Sequence, residues 1–364
     1  MKLNILFTES SPNIGGQELQ ALAQMDALQK KSHSVLLACR EKSKIAAEAA
    51  KRGIKVIFIP FRNSFHIPSI LKLLWVSDHF NPDLVICHSG HDSNIVGLAR
   101  LFHWGSRFSI IRQKTYLTSK TKKLSLNYLC DQVIVPGNAM KKHLIESGIR
   151  TRVTVVPPGF DFHKLHEDAR TPVPAHIQNW LASVGNVPVI VQIGMLRPEK
   201  GHEFMLSVLH RLKQEGRKFC WLIVGGGCQE SANRLQSLIN ELGMQDDVLI
   251  AGNVFPVYSI YEIADLLVMP SENESFGMAV AEASVFSVPV LASQVGGLPD
   301  IIQHNRTGTL LPGGDAAAWV EALNTFFDCP EHFRQMARQA KKDVEERFDI
   351  NRTALSIPGL KNSK

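Results

Sequence analysis

The chain of 364 residues is too long for one ordinary hydrophobic core and has room for two domains, each large enough to fold alone. Its composition, 45% hydrophobic and 20% charged, is that of a soluble globular protein. No apolar run reaches the roughly 18 residues that a membrane-spanning helix needs. The first residues resemble a strand and not a signal peptide, so the sequence predicts a cytoplasmic protein, peripheral at most on the inner face of the membrane.

Positive charge is concentrated in the first half of the chain. Residues 1–170 hold 24 Lys and Arg against 13 Asp and Glu, whereas residues 171–364 hold 16 against 21. A basic half predicts an anionic partner. Because no zinc-finger, RNP or helix-turn-helix motif occurs, we do not expect nucleic acid, and an anionic membrane surface is the candidate. The densest basic segment, Lys114 to Leu124, interleaves lysines with Tyr and Leu as an interfacial segment does, although a solvated helix face is the alternative.

The six cysteines lack CxxC spacing, and several lie in apolar, strand-like runs. This pattern predicts buried free thiols in a reducing compartment. It does not favour disulfides or a metal site.

The first half alternates short apolar strands with helices. The predicted strands are 3–7, 34–38, 56–59, 84–87, 107–111, 132–135 and 153–156. The predicted helices are 17–30, 43–52, 67–78, 94–102 and 138–147. Such an alternation predicts a parallel sheet that is covered by helices on both faces.

The pattern restarts after a proline-rich passage at 171–174. The second set of predicted strands is 187–193, 219–224, 248–250, 266–269 and 288–292. The second set of predicted helices is 177–184, 204–215, 229–242, 278–283, 316–328 and 333–348. We therefore predict two Rossmann-like domains, 1–170 and 171–345, and a tail, 346–364, for which a return to the first domain is one expectation. The active site is expected in a central cleft that faces the carboxyl ends of both sets of strands.

The segment Ser271 to Val285, SENESFGMAVAEASV, is the most informative part of the chain. It predicts a loop that follows a strand and enters a helix, whose first N–H groups and positive dipole end can hold an anion. These N–H groups belong to Ser275, Phe276 and Gly277. Glu274 and Glu282 flank them, and since carboxylates repel phosphate, they suit the hydroxyl groups of a nucleotide sugar. Taken alone, Glu274 could instead be a helix N-terminal charge and Glu282 a solvated surface residue.

Two other strand ends in the second half carry groups suited to a diphosphate. Strand 187–193 leads through Gly194 to Arg197 and Lys200. The planar guanidinium of an arginine can donate two hydrogen bonds to a diphosphate, and the ammonium of a lysine adds a positive charge. A surface loop is the alternative. Strand 219–224 ends in three glycines that start at Gly225 and let backbone approach a ligand. They complete no GxGxxG motif, which counts against a dehydrogenase.

In the first half, strand 3–7 leads to Gly15 and Gly16, whose backbone N–H groups suit phosphate or acceptor hydroxyls. His88 and Asp92 follow strand 84–87, and a histidine at a strand end can bond a sugar hydroxyl or assist proton transfer. A structural role for His88 is the alternative. A metal site with His91 lacks a third ligand.

These motifs together resemble the retaining glycosyltransferases of family 4, which have the GT-B fold. The matching residues are Gly15-Gly16, His88, Gly194-x-x-Arg197-x-x-Lys200-Gly201, Gly252-Asn253-Val254, Ala264-Asp265, Pro270-Ser271, Glu274-x7-Glu282, Pro289-Val290 and Gly296-Gly297-x-Pro299-Asp300. The resemblance implies an α/β GT-B fold and a nucleotide-sugar donor, most commonly a UDP sugar. It also implies a glycan or lipid-linked acceptor, with a place in lipopolysaccharide or surface polysaccharide synthesis.

The resemblance also implies residue roles. Arg197 and Lys200 would hold the diphosphate, Glu282 would bond the ribose hydroxyls, and Glu274 would contact the donor sugar. Backbone near Val254 would receive the base. Transfer would retain the anomeric configuration, without a metal or another cofactor, in agreement with the lack of an Asp-x-Asp pair.

One departure from the family pattern concerns the acceptor side. Family members often carry a histidine on the strand before the acceptor loop, where this chain has the sequence IIRQKT from Ile110 to Thr115. We therefore predict that Arg112, with Asp92 nearby, binds the acceptor, and His88 is the alternative. A GT-B-like sugar-nucleotide epimerase and a binding subunit without turnover are the alternatives. The donor sugar, the base, the acceptor and the oligomeric state are not readable from the sequence.

Overall fold

The computed structural model describes residues 2–103, 108–116 and 123–360. The described chain divides into two compact units. The first unit runs to Asp161 and includes the residues from Phe348 onward, and the second unit spans Phe162–Arg347. The sequence predicted these boundaries near residues 170 and 345.

The first unit is built on a parallel sheet of seven strands in the order β3-β2-β1-β4-β5-β6-β7. Its strands are β1 (Asn4–Glu9), β2 (Ser34–Cys39), β3 (Lys55–Phe58), β4 (Leu84–Cys87), β5 (Ser109–Gln113), β6 (Gln132–Val135) and β7 (Arg152–Val155). Its helices up to this point are α1 (Gly16–Lys30), α2 (Lys44–Lys51), α3 (Ile67–Phe80), α4 (Gly90–Phe102), α5 (Lys123–Tyr128) and α6 (Asn138–Glu146).

Alternate residues of this sheet face two separate cores, because successive side chains of a strand point to opposite faces. Phe7 and Ile111 pack in the core that contains residues of α1 and α2. Leu6 and Ile110 pack in the core that contains residues of α3 and α4. By the same alternation, the side chain of Arg112 lies on the face of the sheet that α4 covers.

The second unit is built on a parallel sheet of six strands in the order β10-β9-β8-β11-β12-β13. Its strands are β8 (Val189–Ile193), β9 (Cys220–Val224), β10 (Val248–Gly252), β11 (Leu266–Met269), β12 (Val290–Ser293) and β13 (Thr309–Leu311). Its helices are α7 (Phe162–Asp168), α8 (Ala175–Val184), α9 (His202–Gln214), α10 (Gln229–Glu241), α11 (Tyr258–Glu262), α12 (Met278–Val285), α13 (Leu298–Ile301), α14 (Ala316–Asp328) and α15 (Pro330–Arg347). A 3-10 turn, Pro198–Lys200, precedes α9.

The chain ends with α16 (Ile350–Leu355), which packs against α1 in the first unit. Ile350 and Ala354 belong to the same core as Leu22 of α1. This contact places the residues after Phe348 with the first unit.

The prediction of two α/β domains with parallel sheets is confirmed. The sequence missed β13 and the short helices α5, α7, α11, α13 and α16, none of which is longer than seven residues. Elements of that length do not repeat a hydrophobic period. Helix α4 begins at Gly90 and not at residue 94, because Ser89 and Asp92 form a capping box.

Four of the six cysteines are buried, and Cys228 and Cys329 are exposed. All six are free thiols. No helix among the described residues has both the length and the apolar character needed to cross a membrane.

Candidate functional site

The loop between β11 and α12 is fixed by close backbone contacts. At Gly201 (φ +70°), a Cβ atom would lie 2.2 Å from the carbonyl oxygen of Pro270. At Gly296 (φ +54°), it would lie 1.8 Å from the carbonyl oxygen of Glu274, which also accepts a hydrogen bond from the N–H of Gly297 at 2.9 Å. Only glycine fits at positions 201 and 296, so two glycine contacts fix the loop that carries Glu274.

Lys200 and Glu274 form an ion pair at the start of α12. Lys200 Nζ donates to Glu274 Oε2 at 2.6 Å, and the two side chains are only 21% and 14% exposed. Glu274 Oε1 accepts from the backbone N–H of Ser275 at 3.2 Å. The Glu274 carboxylate therefore occupies two of the groups, an ammonium and an amide, that the sequence predicts for donor phosphate.

Buried Gln192 of β8 holds the backbone beneath this ion pair. Its Nε2 donates to the carbonyl oxygen of Lys200 at 2.8 Å. Next to Lys200, His202 is buried, and burial together with the charge of Lys200 lowers the pKa of its imidazole to about 4. His202 is thus neutral at pH 7 and adds no positive charge beside Lys200.

Arg197 lies at the surface beside this arrangement. Its side chain is 56% exposed, and its Nη1 lies 3.8 Å from Glu199 Oε1. Within the described part of the chain, Arg197 makes no hydrogen bond or ion pair with Glu274. The structure therefore brings Lys200 to Glu274 and leaves Arg197 exposed beside Glu199.

Glu282 of α12 is held by a tyrosine. Tyr261 of α11 donates from its hydroxyl to Glu282 Oε2 at 2.8 Å. The Tyr261 ring is buried and stacks on Phe286, with centroids 5.5 Å apart. Although part of Glu282 reaches solvent, desolvation raises the pKa of its carboxyl to about 7, and the hydrogen bond from Tyr261 acts in the opposite direction.

The predicted glycines of β8 and β9 pack against each other. At Gly225 (φ +148°), a Cβ atom would lie 1.9 Å from the carbonyl oxygen of Gly194. Sheet packing alone therefore requires glycine at position 225, with or without a ligand. Val254 lies half-buried in the loop after β10, and Gly277, at φ +107°, caps the start of α12 after buried Phe276.

In the first unit, the carboxyl end of β1 holds a buried glutamate that the sequence did not single out. Glu9 accepts from the N–H of Ser11 at 2.9 Å and from Gln17 Nε2 at 2.8 Å. Gln17 Oε1 in turn accepts from Thr115 Oγ1 at 2.6 Å. Burial, with a smaller contribution from the charge of Asp92, raises the pKa of Glu9 to about 7. This chain of hydrogen bonds ties the start of α1 to the residues that follow β5.

The glycine pair before α1 borders open space. Gly15 is the N-cap of α1, and its N–H donates to Glu18 Oε2 at 2.8 Å. A Cβ atom at Gly16 would meet nothing within 4 Å. The geometry thus leaves room for a ligand, and the binding role of Gly15 and Gly16 stays a prediction.

His88 is buried after β4 and stacks on Phe7, with centroids 5.8 Å apart. Its Nδ1 donates to the carbonyl oxygen of Thr8 at 3.1 Å. Burial lowers the pKa of His88 to about 4, so the ring is neutral and its Nε2 carries a lone pair. Nε2 is buried and has no hydrogen-bond partner within normal geometry among the described residues, and the side chain of Gln113 lies close enough to act on the pKa of the ring.

Asp92 is completely buried at the start of α4. Its Oδ2 accepts from Thr8 Oγ1 at 2.7 Å and from the N–H of His88 at 3.1 Å, and its Oδ1 accepts from the N–H of Ser89 at 2.9 Å. The hydroxyl of Ser89 donates to Oδ1 as well. These contacts favour a structural role, and the acceptor-binding role predicted for Asp92 stays a prediction that the geometry does not favour.

Arg112, the other predicted acceptor residue, is nearly buried, and its Nη1 lies 4.0 Å from Asp92 Oδ1. Of the basic segment Lys114 to Leu124, residues 117–122, with Lys120 and Lys122, lie outside the described residues. Lys123 is exposed at the start of α5. The membrane role predicted for this segment therefore stays a prediction.

Comparison with known families supports the resemblance. The family model described as "Glycosyl transferases group 1" matches residues 177–343, and that described as "Glycosyltransferase Family 4" matches residues 14–164. The chain belongs to the family-4 glycosyltransferases of the GT-B fold.

Relatives cover the chain to different extents. A D-inositol 3-phosphate glycosyltransferase from Nocardia farcinica is 31% identical over 198 residues, which are 52% of this chain and 43% of that protein. The chain spans about half the length of the curated relatives it matches.

Solved structures match nearly the whole chain. HepE (Alr3699) from Anabaena, in complex with UDP, is 20% identical with a TM-score of 0.83, over 98% of both chains. The apo form of WaaB, a lipopolysaccharide outer core galactosyltransferase, is 20% identical with a TM-score of 0.74, over 97% of this chain and 98% of that one. These matches confirm the predicted fold.

Proposed function

We propose that the protein is a glycosyltransferase that moves a sugar from a nucleoside diphosphate sugar to a glycan or lipid-linked acceptor. The observation that carries this proposal is the contact of the Glu274 carboxylate with both Lys200 Nζ and the N–H of Ser275, in the loop before α12. Groups suited to an anion thus converge at one half-buried point. The structure of HepE in complex with UDP supports a UDP sugar as donor. The second unit supplies the groups for this donor.

In the proposed reaction, the bond between the anomeric carbon and the diphosphate breaks, and the leaving diphosphate takes up negative charge. Lys200 exchanges the Glu274 carboxylate for a phosphate oxygen, and the N–H groups of residues 275–277 stabilise the same charge. Exposed Arg197 moves onto the diphosphate, which its planar fork matches. Glu274, released from Lys200, accepts hydrogen bonds from the donor sugar.

The acceptor hydroxyl attacks the anomeric carbon from the face that the diphosphate leaves, and its proton passes to the departing diphosphate. This course retains the anomeric configuration. The cationic side chains and the helix N-terminus supply the charge stabilisation, so we propose a reaction that needs no metal ion and no other cofactor. His88, with its unpaired Nε2, and Arg112 are the proposed acceptor-side groups in the first unit.

We further propose that the acceptor belongs to lipopolysaccharide or surface polysaccharide synthesis, and that the protein works at the inner face of the membrane. The excess of Lys and Arg in residues 1–170 supports this location, because each cation near an anionic surface contributes about 1 kcal/mol. The likeness to WaaB, named as a lipopolysaccharide galactosyltransferase, supports this acceptor class.

The transferase proposal is tested with purified protein and a panel of UDP, GDP and ADP sugars. Thermal shift identifies the donor, because a bound ligand raises stability with the logarithm of its concentration. Release of the nucleoside diphosphate in the presence of acceptor, with the anomeric configuration of the product read by NMR, then tests transfer. An epimerase would instead convert the donor sugar without releasing the nucleotide, and a silent binding subunit would bind the donor without turnover. Failure of every nucleotide sugar to stabilise the protein would contradict the proposal.

A pH-dependent donor KM is expected from the Tyr261–Glu282 pair. Because the pKa of Glu282 lies near 7, the carboxylate that accepts ribose hydroxyls is lost as pH falls below this value, and the donor KM should rise. Tyr261→Phe removes the hydrogen bond that lowers this pKa, so the midpoint of the KM profile should move to higher pH while kcat at saturating donor changes little. A KM profile that is the same in wild type and Tyr261→Phe would show that Glu282 does not bind the ribose.

A further inference from the structure

The segment between Asp92 and Asp131, which includes β5, carries positive charge and contains no acidic residue. Residues 93–130 contain seven Lys and Arg and no Asp or Glu. The parts of this segment that lie outside the described residues, 104–107 and 117–122, are included in that count. They therefore contribute no carboxylate to the charges around β5.

Arg112 and Lys114, here called the cation pair, stand on one side of β5 and its continuation. The N–H of Lys114 donates to the carbonyl oxygen of Ile134 at 2.9 Å, so the extended pairing with β6 continues past Gln113, and alternate residues share a face. Burial, together with the charge of Arg112, lowers the pKa of Lys114 to about 8. Their positions two residues apart on one face therefore agree with a repulsion between the two charges.

Among the described residues, Lys114 has no counter-ion, and the one carboxylate within ion-pair range of Arg112 is that of Asp92. Lys114 is half-buried, and its Nζ lies 5.8 Å from the centre of the Tyr116 ring, with no ion pair among the described residues. Arg112 Nη1 is buried without a hydrogen-bond partner there. The carboxylate of Asp92 lies 4.0 Å from Arg112 Nη1, also accepts hydrogen bonds from the N–H and hydroxyl groups of Ser89, and carries one negative charge against the two cations.

Two adjacent cations that are partly removed from water and have one carboxylate between them keep a net positive charge, which is costly unless a ligand supplies negative charge. An arginine beside a lysine offers a planar guanidinium with several N–H donors and a compact ammonium, and the two together suit a tetrahedral oxyanion. We propose that the cation pair, Arg112 and Lys114, binds a phosphoryl group that the acceptor carries. The site itself follows from the charges, and only its link to an acceptor rests on the proposed transferase function.

The proposal is tested by the reactivity of Lys114 itself. Wild-type protein is acetylated at pH 8 with and without inorganic sulfate, at an ionic strength kept constant with sodium chloride, and each lysine is quantified by mass spectrometry. Sulfate should slow the labelling of Lys114 at least about threefold as it fills the site by mass action. Exposed Lys72 of α3 is the matched control and should be unaffected.

Arg112→Gln should abolish the protection of Lys114 by sulfate. If this variant does not fold, the ratio of Lys114 to Lys72 labelling in wild-type protein, compared with and without sulfate, still tests the proposal. Equal labelling of Lys114 with and without sulfate overturns the proposal. Because the labelling uses no sugar donor, its result is independent of the transferase assay. Either test can fail while the other succeeds.

Two further arms identify the source of the phosphoryl group. Phosphatidylcholine vesicles that contain phosphatidic acid are compared with glucose 1-phosphate at equal phosphate concentration. Stronger protection by the vesicles assigns the site to a lipid headgroup, and stronger protection by the sugar phosphate assigns it to a soluble ester. Protection by neither probe, like the absence of protection by sulfate, overturns the proposal.

Discussion

Replacing Lys200 by alanine should lower kcat at least about a hundredfold at saturating donor, because it removes a cation aimed at the charge that develops on the leaving diphosphate. The variant also leaves Glu274 without its partner, 14% exposed and negatively charged, at the point where the donor phosphates are expected. Both effects raise the barrier. The measurement is steady-state transfer of the donor sugar identified by thermal shift.

Two variants separate these effects. Glu274→Gln keeps the size of the side chain and removes its charge, and the double variant with Lys200→Ala shows how much of the loss comes from the unpaired carboxylate. Exposed Lys218, in the same unit, provides a matched control, and Lys218→Ala should keep normal turnover. Near-normal kcat in Lys200→Ala would mean that the catalytic site has been assigned wrongly.

Asp92→Ala should lower the free energy of unfolding by about 3–5 kcal/mol, because a buried charged hydrogen-bond partner is lost. Asp92 is completely buried, and its removal leaves the hydroxyl of Thr8 and the N–H groups of His88 and Ser89 without their acceptor. Urea unfolding followed by circular dichroism measures the change.

The same variant distinguishes the two roles considered for Asp92. If Asp92 bound the acceptor, Asp92→Ala would unfold like wild type and raise only the acceptor KM. Asp78→Ala is the control, because Asp78 is an exposed carboxylate in the same unit, and its loss should change stability little.

The sequence predicted Lys200 and Glu274 because each lies in a loop directly after an apolar strand, where the ends of parallel strands share one edge of a sheet. It did not predict their 2.6 Å contact, nor that Glu274 contacts the ammonium and the amide predicted for the donor phosphate. Strand patterns locate residues along an edge, whereas side-chain pairing depends on rotamers and on the glycine contacts at positions 201 and 296.

Other members of the candidate site had no readable signal. Tyr261 lies in a five-residue helix, and its partner Glu282 lies 21 positions away. The hydrogen bond between Gln17 and Thr115 joins residues 98 positions apart. Glu9 is the exception, because a glutamate at the end of an apolar strand needs partners or a raised pKa if it is buried, and the sequence prediction did not use this signal.

The fold was more accessible to prediction than the site. Strands such as β4 and β11 are continuous apolar runs bounded by polar residues, and their bounds were predicted correctly. The start of α4 was missed because the capping box of Ser89 and Asp92 was not recognised beside Gly90, a weak helix former.

The central claim is that a donor diphosphate replaces the Glu274 carboxylate on Lys200 at the start of α12. A crystal structure of the protein with bound UDP tests it most directly. The account predicts a diphosphate oxygen within hydrogen-bond distance of Lys200 Nζ and of an N–H group among residues 275–277, with Glu274 released. UDP bound elsewhere, with the contact between Lys200 and Glu274 intact, would contradict it.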